Sequence, residues 1–174
     1  MPDRHTPSVM WISALALAAC SGVRPLAAPQ VPEALRPPAG QTLFMETLAT
    51  GVQIYECSRK GDAYEWAFKA PEASLAERSG YVLGKHYAGP TWESNDGSTV
   101  VGEVKARDPG PTPGAIPWLL LSAKSNTGAG EFSSTKSIQR VATSGGVAPG
   151  TPCAAANLGQ VARVPYTATY YFYR

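Results

Sequence analysis

The sequence is poor in histidine: His5 and His86 are the only two in 174 residues, and there are three cysteines, Cys20, Cys57 and Cys153. Copper and zinc centres draw on several imidazole or thiolate ligands, and with His86 alone in the expected mature chain and Cys57 and Cys153 expected to pair, a three- or four-ligand transition-metal site would have to be mostly carboxylate, so none is expected. A Gly-x-Ser-x-Gly elbow is also missing, and any hydrolytic triad would have to use His86. Charge is sparse and nearly balanced, 15 Lys and Arg against 13 Asp and Glu, which offers no basic face for nucleic acid. There is no internal repeat and no convincing amphipathic helix.

The apolar run from Val9 to Ala19, preceded by Arg4 and His5, is too short for a membrane-spanning helix of roughly 20 residues. Its length fits the hydrophobic region of a signal peptide, although Asp3 dilutes the positive start. It ends in Leu17-Ala18-Ala19-Cys20, which resembles the lipobox of bacterial lipoproteins, where the cysteine becomes the lipidated first residue. An ordinary secretory signal with a chance cysteine is the alternative. The expected organisation is a lipoprotein signal peptide over residues 1–19, a proline-rich tether over 20–40 and one β-rich domain over 41–174. Removing Asp3 and Arg4 with the signal leaves the net charge at +2. Export to the cell envelope follows, with a lipid anchor in a membrane as partner. Ser21 beside Cys20 supplies no acidic retention cue, which points to the outer membrane.

With Cys20 assigned to lipid, Cys57 and Cys153 remain as an even pair in an oxidising compartment and are expected to be bridged, the alternative being two buried thiols. Closing a loop of that length would stabilise the fold by roughly 4–5 kcal/mol in the chain-entropy model.

The 17 glycines and 16 prolines mark a loop-rich chain, yet aromatic and β-branched residues are spread through it, which argues for a folded domain. Between Ser21 and Gly40, Pro25, Pro29, Pro32, Pro37 and Pro38 read as a semi-extended tether, although Val31 to Leu35 is apolar enough to pack as an irregular arm. Leu43–Leu48 and Val52–Ser58 around Ala49-Thr50-Gly51 read as a hairpin. Tyr64, Trp66 and Phe68 alternate with Glu65 and Lys69 as in a half-buried strand, which Pro71 is expected to end. Leu75–Ser79 reads as a single turn. Tyr81–Tyr87 and Thr91–Ser94 are extended, and Asn95-Asp96-Gly97 forms a tight turn into Ser98–Lys105. Ile116–Ala123 has the continuous apolarity of a strand covered on both faces. Phe132–Val141 reads as a strand or a strand plus turn, and Tyr166–Tyr173 closes the chain as another strand. The fold class is therefore all-β: one small, loop-rich domain, either a β-sandwich or a β-barrel-like closure.

The run His86-Tyr87-Ala88-Gly89-Pro90-Thr91-Trp92-Glu93, then Asp96-Gly97-Ser98, Ile138-Gln139-Arg140, Gly145-Gly146, Cys153 and Val164-Pro165-Tyr166 resembles the domain of unknown function 3455 family, found in secreted bacterial and fungal proteins. The resemblance spans most of residues 31–174 and implies export but no established activity. Some fungal members carry a malate-dehydrogenase label. Here the nearest approach to a dinucleotide fingerprint is Gly128-Ala129-Gly130, with Ser133 where the third glycine should stand and no helix to follow, so no such cofactor is expected.

His86, Gly89, Pro90, Trp92 and Glu93 form the candidate ligand-binding set, because a Gly-Pro pair turns the backbone sharply between a histidine and a tryptophan. Trp66 and Trp118 could extend an aromatic surface for a sugar ring or acyl chain, but both lie in runs expected to be buried. His86 could equally fix a turn through a ring-to-backbone hydrogen bond. Glu93, Asp96 and Glu103 read as a solvated face rather than a paired-carboxylate site. Arg140 is expected to pair with a carboxylate such as Glu46 or Glu56 rather than to bind an anion. The preferred reading is a non-catalytic module with a small-molecule, glycan or protein ligand and no cofactor. The rival is a hydrolase using His86 with an acid.

Overall fold

The computed structural model describes residues 26–174, so the signal peptide, the Cys20 lipidation site and the first part of the proline-rich segment lie outside the described residues. Eight strands follow one another: β1 Leu43–Lys60, β2 Ala63–Ala76, β3 Val82–Tyr87, β4 Thr91–Ser94, β5 Thr99–Asp108, β6 Trp118–Thr127, β7 Ser137–Gly145 and β8 Val161–Tyr173. Each pairs antiparallel with the next, and β8 returns to β1, so one sheet closes on itself. The all-β expectation holds, and closure decides between the two architectures in favour of a ring. The ring is irregular: register slips at Ile54/Tyr55, Val101/Gly102, Val104/Ala106 and Val141/Ser144 bend the strands where the sheet must curl.

Three local expectations are corrected. Ala49-Thr50-Gly51 is no hairpin turn but the middle of the 18-residue β1. Gly51 is there because β2 passes too close for a side chain: a Cβ would strike the Glu72 carbonyl and sit 2.5 Å from the Ala73 Cα. Pro71 does not end β2, which runs on to Ala76. β2 meets β3 only from Ala73 onward, so at Pro71 its outer edge has no neighbouring strand and no ladder bond is lost there. Tyr64–Lys69 is a strand as expected, but Phe68 stays 53% exposed, because this half of β2 extends past the ring with β1 and the start of β8.

The predicted disulfide is present. Cys57 on β1 is bridged to Cys153 with Cα atoms 5.5 Å apart, tying the projecting strands to the loop before β8. Trp66 Nε1 donates to the Thr151 carbonyl of the same loop at 2.9 Å.

The two ends of the ring differ. At one, the Asn95-Asp96-Gly97 turn forms as expected, and Phe132, fully buried, plugs the interior against Phe172 with ring centroids 4.9 Å apart. The plug is clamped from three sides: Glu131 N donates to Asp96 Oδ2 at 2.8 Å, Phe132 N to Ser98 Oγ at 3.1 Å, and Asn126 Nδ2 to the Phe132 carbonyl at 2.7 Å. Inward-facing Leu75, Val100, Leu121 and Ile138 complete that core. At the other end, where β3 gives way to β4 through Ala88-Gly89-Pro90, the interior stays open.

Outside the ring, the later part of the proline-rich segment packs. Leu35, in a 3-10 turn over Glu33–Leu35, is fully buried, and its carbonyl accepts from Gln139 Nε2 at 2.6 Å. Val31, Leu43 and Trp118 cover Val141, Tyr171 and Tyr173 on the same outer face.

Candidate functional site

The open end holds a cavity of about 370 Å³. Strand alternation decides who lines it. His86 on β3 stands opposite Trp92 on β4, so both face inward, and the Gly89-Pro90 turn that joins their strands forms part of the rim. Four of the five candidate residues, His86, Gly89, Pro90 and Trp92, therefore meet at one cavity. Glu93, one position on from Trp92, points to the outer face, where it pairs with Lys85 Nζ at 3.1 Å and accepts from the Tyr87 hydroxyl at 2.6 Å.

Trp92 is 1% exposed and lies over β5 at Gly102, where a Cβ would stand 2.9 Å from the indole. The His86 ring stacks on Trp92 with centroids 4.3 Å apart and planes 15° from parallel, and Tyr170 meets both edge-on, at 5.1 Å from His86 and 5.3 Å from Trp92. His86 Nδ1 lies 2.8 Å from the Thr91 carbonyl. A carbonyl only accepts, so Nδ1 carries the proton and Nε2 is the unprotonated nitrogen. Burial, reinforced by the positive charge of Arg140 and opposed by the Thr91 bond, lowers the imidazole pKa to about 3. His86 is thus neutral at physiological pH and tied to backbone. Among the described residues no carboxylate is paired with it, so the geometry does not assemble the histidine–acid pair that a hydrolase would need.

Arg140 departs from expectation. Glu46 and Glu56 lie on the outer face of β1, where Arg78 Nε bonds Glu46 at 2.7 Å and Lys69 pairs with Glu56 at 3.3 Å. Arg140 shares the inward face of β7 with Ile138, and its guanidinium donates through Nε and Nη2 to the Pro117 carbonyl at 3.1 and 2.8 Å. Its positive charge opposes the burial that raises the hydroxyl pKa of Tyr55 and Tyr170. Among the described residues the cavity wall carries Lys69, Arg107 and Arg140 and no aspartate or glutamate.

Gln53 and Tyr170 also line the cavity, and neither was singled out as a site residue from the sequence. The signal for them was alternation: Tyr170 shares a face with Phe172, and Arg140 with Ile138. Trp66 and Trp118 do not join the cavity wall. The carboxylates considered for chemistry are each occupied in surface contacts: Glu103 pairs with Lys105 at 2.7 Å, and Asp96 caps its own turn by accepting from the Ser98 backbone and hydroxyl at 2.8 and 2.6 Å.

A family model described as "Protein of unknown function (DUF3455)" matches residues 38–174. The chain belongs to the DUF3455 family. That match covers the whole closed sheet and both ends of the ring, so the cavity lies within the DUF3455 domain. Neither the curated proteins nor the solved structures include a significant match to this DUF3455 chain.

Proposed function

We propose that this protein is an exported, lipid-anchored envelope protein whose DUF3455 domain binds a small molecule in the open end of its ring without transforming it. The observation that carries the binding role is the cavity of about 370 Å³, walled by Trp92, Val104, Ile116, Leu119 and Leu121 around a few polar groups. That composition and size are those of a ligand pocket, and its apolar walls suit a compact apolar body better than an extended glycan. A neutral, backbone-tied His86 with no acid beside it supports binding rather than turnover. Leu17-Ala18-Ala19-Cys20 supports the anchor, and a disulfide supports an oxidising compartment.

The test is a thermal-shift screen of the full chain against small amphiphiles and aromatic compounds, run beside Val104→Trp, which fills the cavity. A compound that raises the melting temperature of the parent but not of a folded Val104→Trp supports the reading. Equal shifts in both, or none in the parent, refute it. For the anchor, incorporation of radiolabelled palmitate should occur in the parent and vanish in Cys20→Ser; no label in the parent refutes lipidation.

A further inference from the structure

Three arginines on the outer surface have acids beside them: Arg59 with Asp62, Arg78 with Glu46 and Arg163 with Glu72. Arg140, in the cavity wall, has none among the described residues. Two of its five N–H groups are spent on the Pro117 carbonyl, which holds the guanidinium plane in place, and the Tyr170 hydroxyl lies near the rest. Around it, Gln53, Trp92 and Tyr170, all at least nine-tenths buried, line the same cavity; the Trp92 indole nitrogen has no hydrogen-bond partner among the described residues, and the Gln53 amide and the Tyr170 hydroxyl make no well-formed bond, only loose contacts of Tyr166 with both and of Arg140 with Tyr170. All three are hydrogen-bond donors. Buried donors without a well-formed bond are costly, and these belong to residues that line one cavity with a cation that has no acid beside it.

We infer that the ligand is an organic monoanion, a carboxylate on an apolar or aromatic body, whose acid group is held by Arg140. This rests on the cavity being the binding site and adds the ligand's chemical class. An ionised carboxylate only accepts hydrogen bonds and matches the fork of a guanidinium, so it satisfies both the charge and the neighbouring donors. The remaining wall, Val104, Ile116, Leu119 and Leu121, calls for an apolar body behind the acid group. A bare inorganic anion would leave that surface wet, and a dianion would exceed the one half-buried cation, Lys69 and Arg107 being exposed.

The experiment is a calorimetric titration of the full chain with decanoate and phenylbutyrate, each set against its alcohol, decanol and phenylbutanol, and against inorganic phosphate. The acids should bind at least about tenfold more tightly than the matching alcohols, the difference expected of charge-assisted hydrogen bonds. Arg140→Gln should erase that advantage while the alcohols bind as before, and Arg107→Gln should keep it. Equal affinity of acids and alcohols overturns the anion assignment and leaves the binding reading standing. No binding by either overturns both. Phosphate binding as tightly as the acids overturns the requirement for an apolar body, and loss of the preference in Arg107→Gln but not in Arg140→Gln moves the anion site to the mouth. If Arg140→Gln does not fold, the acid-to-alcohol ratio in the parent decides.

Discussion

At one end of the ring a phenylalanine from a loop is driven between the strands and clamped by three hydrogen bonds, while at the other a histidine, an arginine and two tyrosines surround empty space. Both ends belong to the same eight strands and draw on the same inward-facing positions. The plugged end spends its apolar volume on packing. The open end keeps buried polar groups, those of Gln53, Trp92 and Tyr170, that make no well-formed bond within the protein, an arrangement that costs stability and is typical of binding sites.

The most severe way to break this contrast is to unplug the closed end. Phe132→Ala removes a fully buried ring and should cost about 3–5 kcal/mol, read as a drop in the midpoint of urea unfolding. A loss under about 1 kcal/mol would mean that the two ends are equally loose.

Cutting the brace of the open end should matter nearly as much. Cys57→Ser with Cys153→Ser opens a link across 96 residues and should cost about 2–4 kcal/mol, with the projecting half of β1 and β2 losing amide-exchange protection ahead of the plugged end.

Acid should separate the ends without any substitution. The imidazole of His86, with a folded pKa of about 3 against an ordinary 6.5, is stabilising as the neutral form at neutral pH, and that contribution is lost progressively as pH falls from about 6.5 toward 3. Between pH 7 and 5 the loss should be about 2 kcal/mol, and His86→Gln should flatten the slope. Asp96 at the plugged end responds in the same direction but in a lower pH window. The Ser98 hydroxyl and the backbone amides of Glu131 and Ser98 hold its carboxyl at about 2, so its contribution persists from neutral pH down to about 3.8 and is lost progressively as pH falls from there toward about 2. Unfolding that begins near the plug at pH 5 would contradict this assignment.

The smallest effect belongs to Arg140. Arg140→Met exchanges an acid-free, partly buried cation for apolar bulk, and the lost bonds to Pro117 should be offset, leaving stability within about 1 kcal/mol of the parent. A much larger loss would make Arg140 a structural residue rather than one reserved for a ligand.

Much of this contrast could be read from the chain, in a particular way. Alternation identified which residues share a face, turn-forming residues placed the Asn95-Asp96-Gly97 turn, continuous apolarity marked the Ile116–Ala123 run, and aromatic and β-branched composition marked the terminal strand. It could not say which face is inside, nor that a strand outruns its neighbours: Phe68 alternates with Lys69 as a buried residue would, yet β2 projects beyond the ring there. Gly51 carries the same letter whether it makes a turn or lets a strand pass close, and only the partner strand distinguishes them. The His86–Trp92 pair was found because its turn is compact in sequence. Arg140, Gln53 and Tyr170 lie on three other strands, and only closure of the sheet brings them to the same cavity. Arg140 was assigned to Glu46 or Glu56 on charge alone, and alternation on β1 turns both of those acids outward.

The outer edge of β2 from Ala63 to Glu72 runs past the ring with no strand beside it among the described residues, a length of unpaired backbone on which another chain could lay itself down. Lys69 stands as the extra residue at the bulge, and Pro71 removes a donor two positions later, so this edge is broken at the point where it leaves the ring. What read as the end of a strand is a device that works against edge-to-edge pairing, placed where an aromatic-rich hairpin stands in solvent.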